Sequence, residues 1–435
     1  MKKTIYVSYL VQVLTLAVNF IYSLIIVDQL GAGGYGDYAI FYNSLAFTVL
    51  FLGFNLPSVI VFFLANQAID KSKLLYSCIL FIVVATLFLV VFLFNSQKLG
   101  LATLIFPDGD NKVLWSFFFA AQFFLLLLNQ VLNSFLNAGK IFIPVLLMGL
   151  FTNLALLIFW LLVQFDILGI RIPVFDLIWW LSIAVNLCVA GYSVYLIKTR
   201  IQLSFFGKLL NRKEINLLRD FAFIVYLCNT IQFLNYKMDL YFINEYWDNT
   251  DVGFYALALS ISQLVWVLPN AISNVLLNYF QVDQKEKSIH LAVKGARVTF
   301  YFSLLCAFLL AMACYFFLPR IYGAEFYKVF QLCLILFLGT VPFSLSIILA
   351  NLNSGIGFVK LNLYATLFIF LLGLILDIII IPRYGVFGAA YVKVIISISG
   401  LVFQIIIGKR LYNLPWMSIF RFLNFQSLFK LNFKS

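Results

Sequence analysis

The sequence predicts an all-α integral membrane protein, with twelve transmembrane helices in two six-helix lobes related by a parallel repeat and a central cleft between them. Three observations predict it. Of 435 residues, 64% are hydrophobic and 11% charged, whereas a soluble domain is roughly half apolar and about a quarter charged. Apolar runs of membrane-crossing length recur along the whole chain, and short sequence echoes return half a chain later. This composition excludes a soluble enzyme, a disordered tail and a secreted disulfide scaffold. The formal charge of +12 suggests a nucleic-acid partner only if the cations form a patch facing water, and here they do not.

A helix needs about 20 mainly apolar residues to cross a hydrocarbon core roughly 30 Å thick. In chain order the first-half runs cover 5–30, 39–68, 74–95, 113–136, 143–165 and 176–197. The second-half runs cover 220–243, 254–281, 297–319, 329–352, 362–381 and 387–409. They are apolar all round, whereas barrel strands alternate apolar and polar residues over about ten positions. The opening Met-Lys-Lys and its apolar run resemble a signal peptide. That run outlasts a signal sequence and lacks a small-x-small cleavage site, so it is read as the first span. No loop is long enough for a soluble catalytic domain, so an enzyme is not expected.

The cations test the count of spans, because Lys and Arg concentrate in short cytoplasmic loops. With the N-terminus inside, 21 of the 29 fall on inner segments and 6 on outer ones, while Lys237 and Lys393 lie within spans. Adding or losing one helix would scramble this asymmetry. The reading is therefore twelve spans with both termini cytoplasmic, in a bacterial inner membrane, with membrane lipids as the surrounding solvent.

Repeats decide architecture. Gly36-Asp37-Tyr38-Ala39-Ile40 returns as Gly253-Phe254-Tyr255-Ala256-Leu257, an offset of 217. Leu136-Asn137-Ala138-Gly139 returns as Leu352-Asn353-Ser354-Gly355, and Lys112-Val113 as Lys328-Val329, both at 216. Each half has six spans and begins on the same side, so the repeat is parallel. The expected lobes are 1–217 and 218–435, joined by a cytoplasmic linker at 198–219.

Polar side chains inside spans need a reason, because a membrane helix already satisfies its own backbone. Span 4 carries Gln122, Asn129, Asn133 and Asn137 on one face, and span 8 carries Gln263, Asn270, Asn274 and Asn278 at the same spacings. Span 7 adds Asn229, Gln232 and Asp239. Amides hydrogen-bond across membrane bundles, which is the reading for span 4. For spans 7 and 8 the nearby charges favour a water-filled lining. Lys237 and Asp239 are two residues apart and do not share a helix face. Asp377 and Lys393 are the other ionisable groups within spans, and all four have snorkelling as the ordinary alternative. Arg297, where span 9 begins, reads first as a cytoplasmic anchor.

Other signals lack their context. Residues 31–36 match G-x-G-x-x-G, but that fingerprint must follow a strand in a soluble βαβ unit. Asp108-Gly109-Asp110 is read as a turn. His290 is the one histidine, so no His-based triad or metal cluster is available, and no cofactor is expected. The six cysteines sit in spans and read as small buried apolar residues.

Two segments carry a resemblance. Residues 251–260 (DVGFYALALS) resemble the start of the second lobe in polysaccharide and O-antigen flippases of the Wzx type, and 381–390 (IPRYGVFGAA) resemble the signature between their last two helices. That group belongs to the multidrug/oligosaccharidyl-lipid/polysaccharide superfamily, so the resemblance implies a MATE-like fold. It also implies transfer of an undecaprenyl-diphosphate-linked oligosaccharide from the inner to the outer leaflet, with polysaccharide polymerase machinery as a partner. The flippase branch often has Asn before the Ile-Pro pair where this chain has Asp377, and a small or apolar residue where it has Lys393. Under this reading Lys237, Lys393 and Arg297 attract the diphosphate, and Asn270, Asn274 and Asn278 meet the sugar. Asp239 or Asp377 balances charge or carries a coupling H+ or Na+. The alternative is a multidrug/cation antiporter of the same superfamily, which would favour an acidic, aromatic-lined first lobe. Here the first-lobe spans hold little acid beyond Asp28.

Overall fold

Lipid offers no hydrogen bonds to the backbone, so a segment in it must satisfy its own N–H and C=O groups, and this chain does so with helices. The computed structural model describes residues 2–65, 70–98, 112–164, 173–205, 207–277, 279–280 and 285–420, and among these all regular structure is helical. The helices are α1 Lys2–Leu52, α2 Leu56–Ala65, α3 Lys71–Lys98, α4 Lys112–Ala138, α5 Phe142–Gln164 and α6 Val174–Leu196. They continue with α7 Arg212–Tyr246, α8 Asn249–Gln263, α9 Val267–Leu277, α10 Lys285–Tyr322, α11 Tyr327–Gly355 and α12 Val359–Tyr412.

Two of these are each two spans joined at a glycine. Gly31 (φ 67, ψ −178) breaks α1 and Gly385 (φ 58, ψ −140) breaks α12. The 31–36 segment is thus a helix break and the start of a helix, where an outer loop was expected. Joining α2 to the second part of α1, and α9 to α8 through a 3₁₀ turn at Leu264–Trp266, gives twelve helical segments among the described residues, in the predicted order. Among the described residues, nine stretches are both long and apolar enough to cross a membrane. The helix α7 is not one of them, although its 35 residues reach about 50 Å at ~1.5 Å per residue. Its polar positions lower its hydropathy: Gln232 and Asn235 line a polar cavity, Asp239 lines a small pocket beside it, and Lys237 lies off the cavity lining. It also begins at Arg212, inside the expected linker.

The chain divides into two compact units, Met1–Thr230 and Ile231–Ser435. In the first, α4 packs against α2, α3 and α6, and α1 packs against α5. On α3, Leu75, Cys78, Ile82 and Leu89 form a buried stripe, while Leu87, Phe88, Val91 and Phe94 are each at least 60% exposed. Such a surface is stable where the solvent is lipid. Cys188 is also exposed, so not every cysteine is the buried filler expected.

The amides of α4 bind α6. Asn129 Nδ2 donates to the Asn186 carbonyl at 3.1 Å, Asn186 Nδ2 donates to Gln122 Oε1 at 3.4 Å, and Gln122 Nε2 donates to the Trp179 carbonyl at 3.5 Å. This is the interhelical role read for span 4. Asn186→Ala is expected to lower stability by about 0.6–1.7 kcal/mol, the range for hydrogen bonds between membrane helices, measured as thermal melting in detergent. The acid missed in this unit is Asp176, in the first turn of α6, buried and accepting Trp115 Nε1 at 3.0 Å. The first unit is therefore less poor in acid than the sequence reading held. It is also aromatic, with Tyr38 stacked on Trp179 at 5.6 Å.

In the second unit α11 is central, packing against α8, α9, α10 and α12. One end is closed by a cluster of Ile289, Ala296, Leu349, Leu352, Leu414 and Ile419. There Tyr412 donates its hydroxyl to Asn353 Oδ1 at 2.9 Å, and Lys285 Nζ stands 4.8 Å over the Phe358 ring.

Candidate functional site

Three of the four charges that the sequence places inside spans meet in the second unit. Asp239 comes from α7, Tyr255 from α8, and Asp377 and Lys393 from the two parts of α12. Asp239 is 3% exposed and Asp377 5%. Lys393 Nζ lies 2.9 Å from Asp239 Oδ2 and donates to the carbonyls of Asn235 at 2.9 Å and Tyr236 at 3.4 Å. An ammonium has three donors, so this one is fully used. The Tyr255 hydroxyl donates to the same Asp239 Oδ2, and the Leu240 N–H donates to Oδ1 at 3.2 Å. Asp377 lines the same small pocket as Asp239 and Lys393, and its Oδ1 has no hydrogen-bond partner among the described residues. Two carboxylates thus lie in one pocket with a single lining ammonium, which is salt-bridged to Asp239 and not to Asp377 among the described residues. Isolated buried charge is costly, so this arrangement has room for one further proton or cation.

A cavity of about 320 Å³ opens beside the cluster, and Lys393 and Asn235 line both. The predicted faces of spans 7 and 8 meet there through Gln232, Asn270 and Asn274, while Asn229 and Gln263 lie off its lining. Three of its amides have structural duties: Asn351 Nδ2 donates to Ser273 Oγ at 2.6 Å, Asn362 Nδ2 donates to the Ala350 carbonyl at 2.7 Å, and Asn235 Nδ2 donates to the Thr366 carbonyl at 3.2 Å. Sequence reasoning missed Tyr255 as an ion partner, and missed the aromatic wall of Tyr236, Trp266 and Phe343. The first was visible only as part of a resembling segment, and the second is masked by 18% aromatic content.

The remaining expected residues fall elsewhere. Lys237 is half-buried on α7, off the lining of this cavity, and makes no hydrogen bond or salt bridge with the described residues. Arg297 donates from Nε to the Ser418 carbonyl at 2.9 Å, and from Nη2 to the same oxygen. It therefore ties α10 to the short turn Trp416–Ile419. Asn278 and Asp108-Gly109-Asp110 lie outside the described residues.

Fold and site together describe an all-helical polytopic membrane protein with a MATE-like fold, with a polar cavity and a buried ion cluster in its second unit. No protein-family model matches the sequence, and no curated protein sequence matches it. Solved structures do match in fold. A lipid II flippase, MurJ, in an inward closed conformation has a TM-score of 0.77 at 16% identity, over 92% of this chain and 87% of that one. An inward-facing multidrug resistance MATE family transporter of the MOP superfamily has a TM-score of 0.70 at 14% identity, over 91% and 94%. A further MATE crystal structure, of a mutant protein, has a TM-score of 0.64 at 15% identity, over 94% and 95%.

Proposed function

We propose that this protein is a flippase that moves an undecaprenyl-diphosphate-linked oligosaccharide, such as an O-antigen repeat unit, from the inner to the outer leaflet of a bacterial inner membrane. The observation that carries the reading is an amide-lined cavity of about 320 Å³ placed against a buried ion cluster, in a fold shared with a lipid II flippase. A hydroxyl-rich headgroup needs donors and acceptors when it leaves water, and Asn270 and Asn274 supply them. Its diphosphate needs a cation. With the donors of Lys393 engaged and Arg297 tied to Ser418, that part falls to Lys237, whose ammonium has no hydrogen-bond or salt-bridge partner among the described residues. Asp239, Lys393 and Asp377 form the coupling cluster, which takes up a proton or Na+ as the transport cycle turns.

Deleting the gene is expected to accumulate lipid-linked repeat units on the inner leaflet and to deplete surface polysaccharide. A Lys237→Ala protein expressed at the normal level is expected to reproduce much of that loss; unchanged surface polysaccharide would remove Lys237 from the mechanism. One observation favours a second reading as cation antiporter: the buried, unpartnered Asp377 Oδ1 suits a cationic cargo. Drug accumulation in the deletion strain, with normal surface glycan, would select it.

A further inference from the structure

We propose that the cavity of the second unit is a subsite for a single neutral pyranose, and that it discriminates against acidic sugars. The inference rests on the reading of this protein as a glycan transporter and adds to it which sugar chemistry the cavity accepts. One wall is aromatic. The rings of Tyr236 and Trp266 lie 5.7 Å apart, and those of Trp266 and Phe343 4.8 Å apart. The indole is held in orientation by Nε1, which donates to the Thr340 carbonyl at 3.2 Å. The remaining lining mixes aliphatic side chains, among them Leu259, Leu336 and Ile347, with polar ones that are partly uncommitted. Ser346 and Gln404 are each more than nine-tenths buried, and Ser346 Oγ and Gln404 Oε1 have no hydrogen-bond partner among the described residues. Asn270 is exposed within the same lining and makes no hydrogen bond with the described residues.

This pairing matches a pyranose. Its C–H face is apolar and packs on an aromatic ring with the negative face of the π system towards it, while its hydroxyls both donate and accept. A purely apolar ligand would satisfy the rings and leave Ser346 and Gln404 unpaired, which is costly for buried groups. An anionic sugar or a phosphate would need a cation, and Lys393 is the one charged side chain among the lining residues, with its three donors already used. At roughly 30 Å³ per water, the cavity of about 320 Å³ holds the equivalent of about ten water molecules, which is room for one hexose.

The test uses the purified full-length protein in nanodiscs, titrated with methyl glucoside, methyl galactoside, methyl N-acetylglucosaminide and methyl glucuronide, with tryptophan fluorescence as the readout. At least one neutral glycoside is expected to quench saturably, with the glucuronide at least about tenfold weaker. Asn270→Ala, at an exposed position, is expected to weaken binding about tenfold, the loss of ~1.4 kcal/mol. Trp266→Phe, which keeps an aromatic ring, is expected to weaken it and reduce the signal. The proposal is overturned if no neutral glycoside binds saturably, if the glucuronide binds equally well, or if binding survives both substitutions in folded protein. A deletion strain that accumulates lipid-linked repeat units while the purified protein binds no neutral sugar would overturn the subsite and leave the flippase reading intact. Binding with unaltered surface glycan in that strain would do the reverse.

Discussion

Lys393→Met is expected to be the most damaging single substitution in the second unit. Methionine keeps the length and apolar stem of the side chain and removes only the ammonium. Asp239, 3% exposed, would then keep the Tyr255 hydroxyl and the Leu240 N–H but lose its only salt bridge among the described residues, with Asp377 in the same pocket. Breaking a buried ion pair from one side costs about 3–5 kcal/mol, because the remaining charge is left uncompensated. Replacing both partners is far milder, since a neutral isosteric pair removes the desolvation penalty as well. The double variant Asp239→Asn/Lys393→Met is therefore expected to recover most of the lost thermal stability. If the cluster couples transport, surface polysaccharide stays depleted in the double variant. Recovery of both would assign the pair to folding alone, and an unchanged melting temperature in Lys393→Met would show that its ammonium balances nothing.

Gly385→Ala should have the next largest effect, for reasons of backbone and space. Gly385 has φ +58, and a Cβ there would meet the Trp247 indole at 3.0 Å from Cε2. An L-residue in the left-handed region costs roughly 1–2 kcal/mol, and forcing extra atoms into a packed place typically costs about 1–3 kcal/mol more. Trp247 is itself fixed, because its Nε1 donates to the Ile381 carbonyl at 3.0 Å, the residue before Pro382. A loss of about 2–5 kcal/mol is expected, read by thermal melting or as reduced expression of folded protein. Trp247→Ala combined with Gly385→Ala should cost less than the sum of the two single changes, because the clash disappears with the ring. Strict additivity would show that only the backbone conformation matters.

Both expectations concern positions whose chemistry was visible in the sequence only in part. Lys393, Asp239 and Asp377 stand out as charges in apolar runs, because a buried charge is expensive wherever the helix packs. Their partnership was not visible. Snorkelling was the ordinary alternative for each, and Asp377 could have reached the interface from its place one turn before Pro382. Packing within the second unit decided otherwise, burying Asp239 and Asp377 at 3% and 5% exposure. The spacing of Lys237 and Asp239 did carry information: two residues apart on a helix, they cannot turn to the same neighbour, and only Asp239 enters the cluster. Arg297, read from its place at a helix start as an anchor, has its Nε and Nη2 on the Ser418 carbonyl. The polar face of α4 and that of α8–α9 look identical in spacing. One closes on α6 through Asn186, while the other lines a cavity, because what a polar face meets depends on the helix opposite it.

The sequence by itself determined what depends on local composition. The number, order and approximate ends of the spans follow from how long an apolar run must be to cross lipid, and the two glycine breaks and α7 modify that pattern without reordering it. What only the tertiary structure decided is the pairing of distant residues: Lys393 with Asp239, Tyr255 with the same carboxylate, and Trp266 and Phe343 as one wall of a cavity. In an aqueous protein the hydrophobic effect marks buried positions along the sequence. In lipid both faces of a helix are apolar, so the code does not say which aromatic faces another helix and which faces solvent. That choice is made by close packing and by the few polar groups that must find one another.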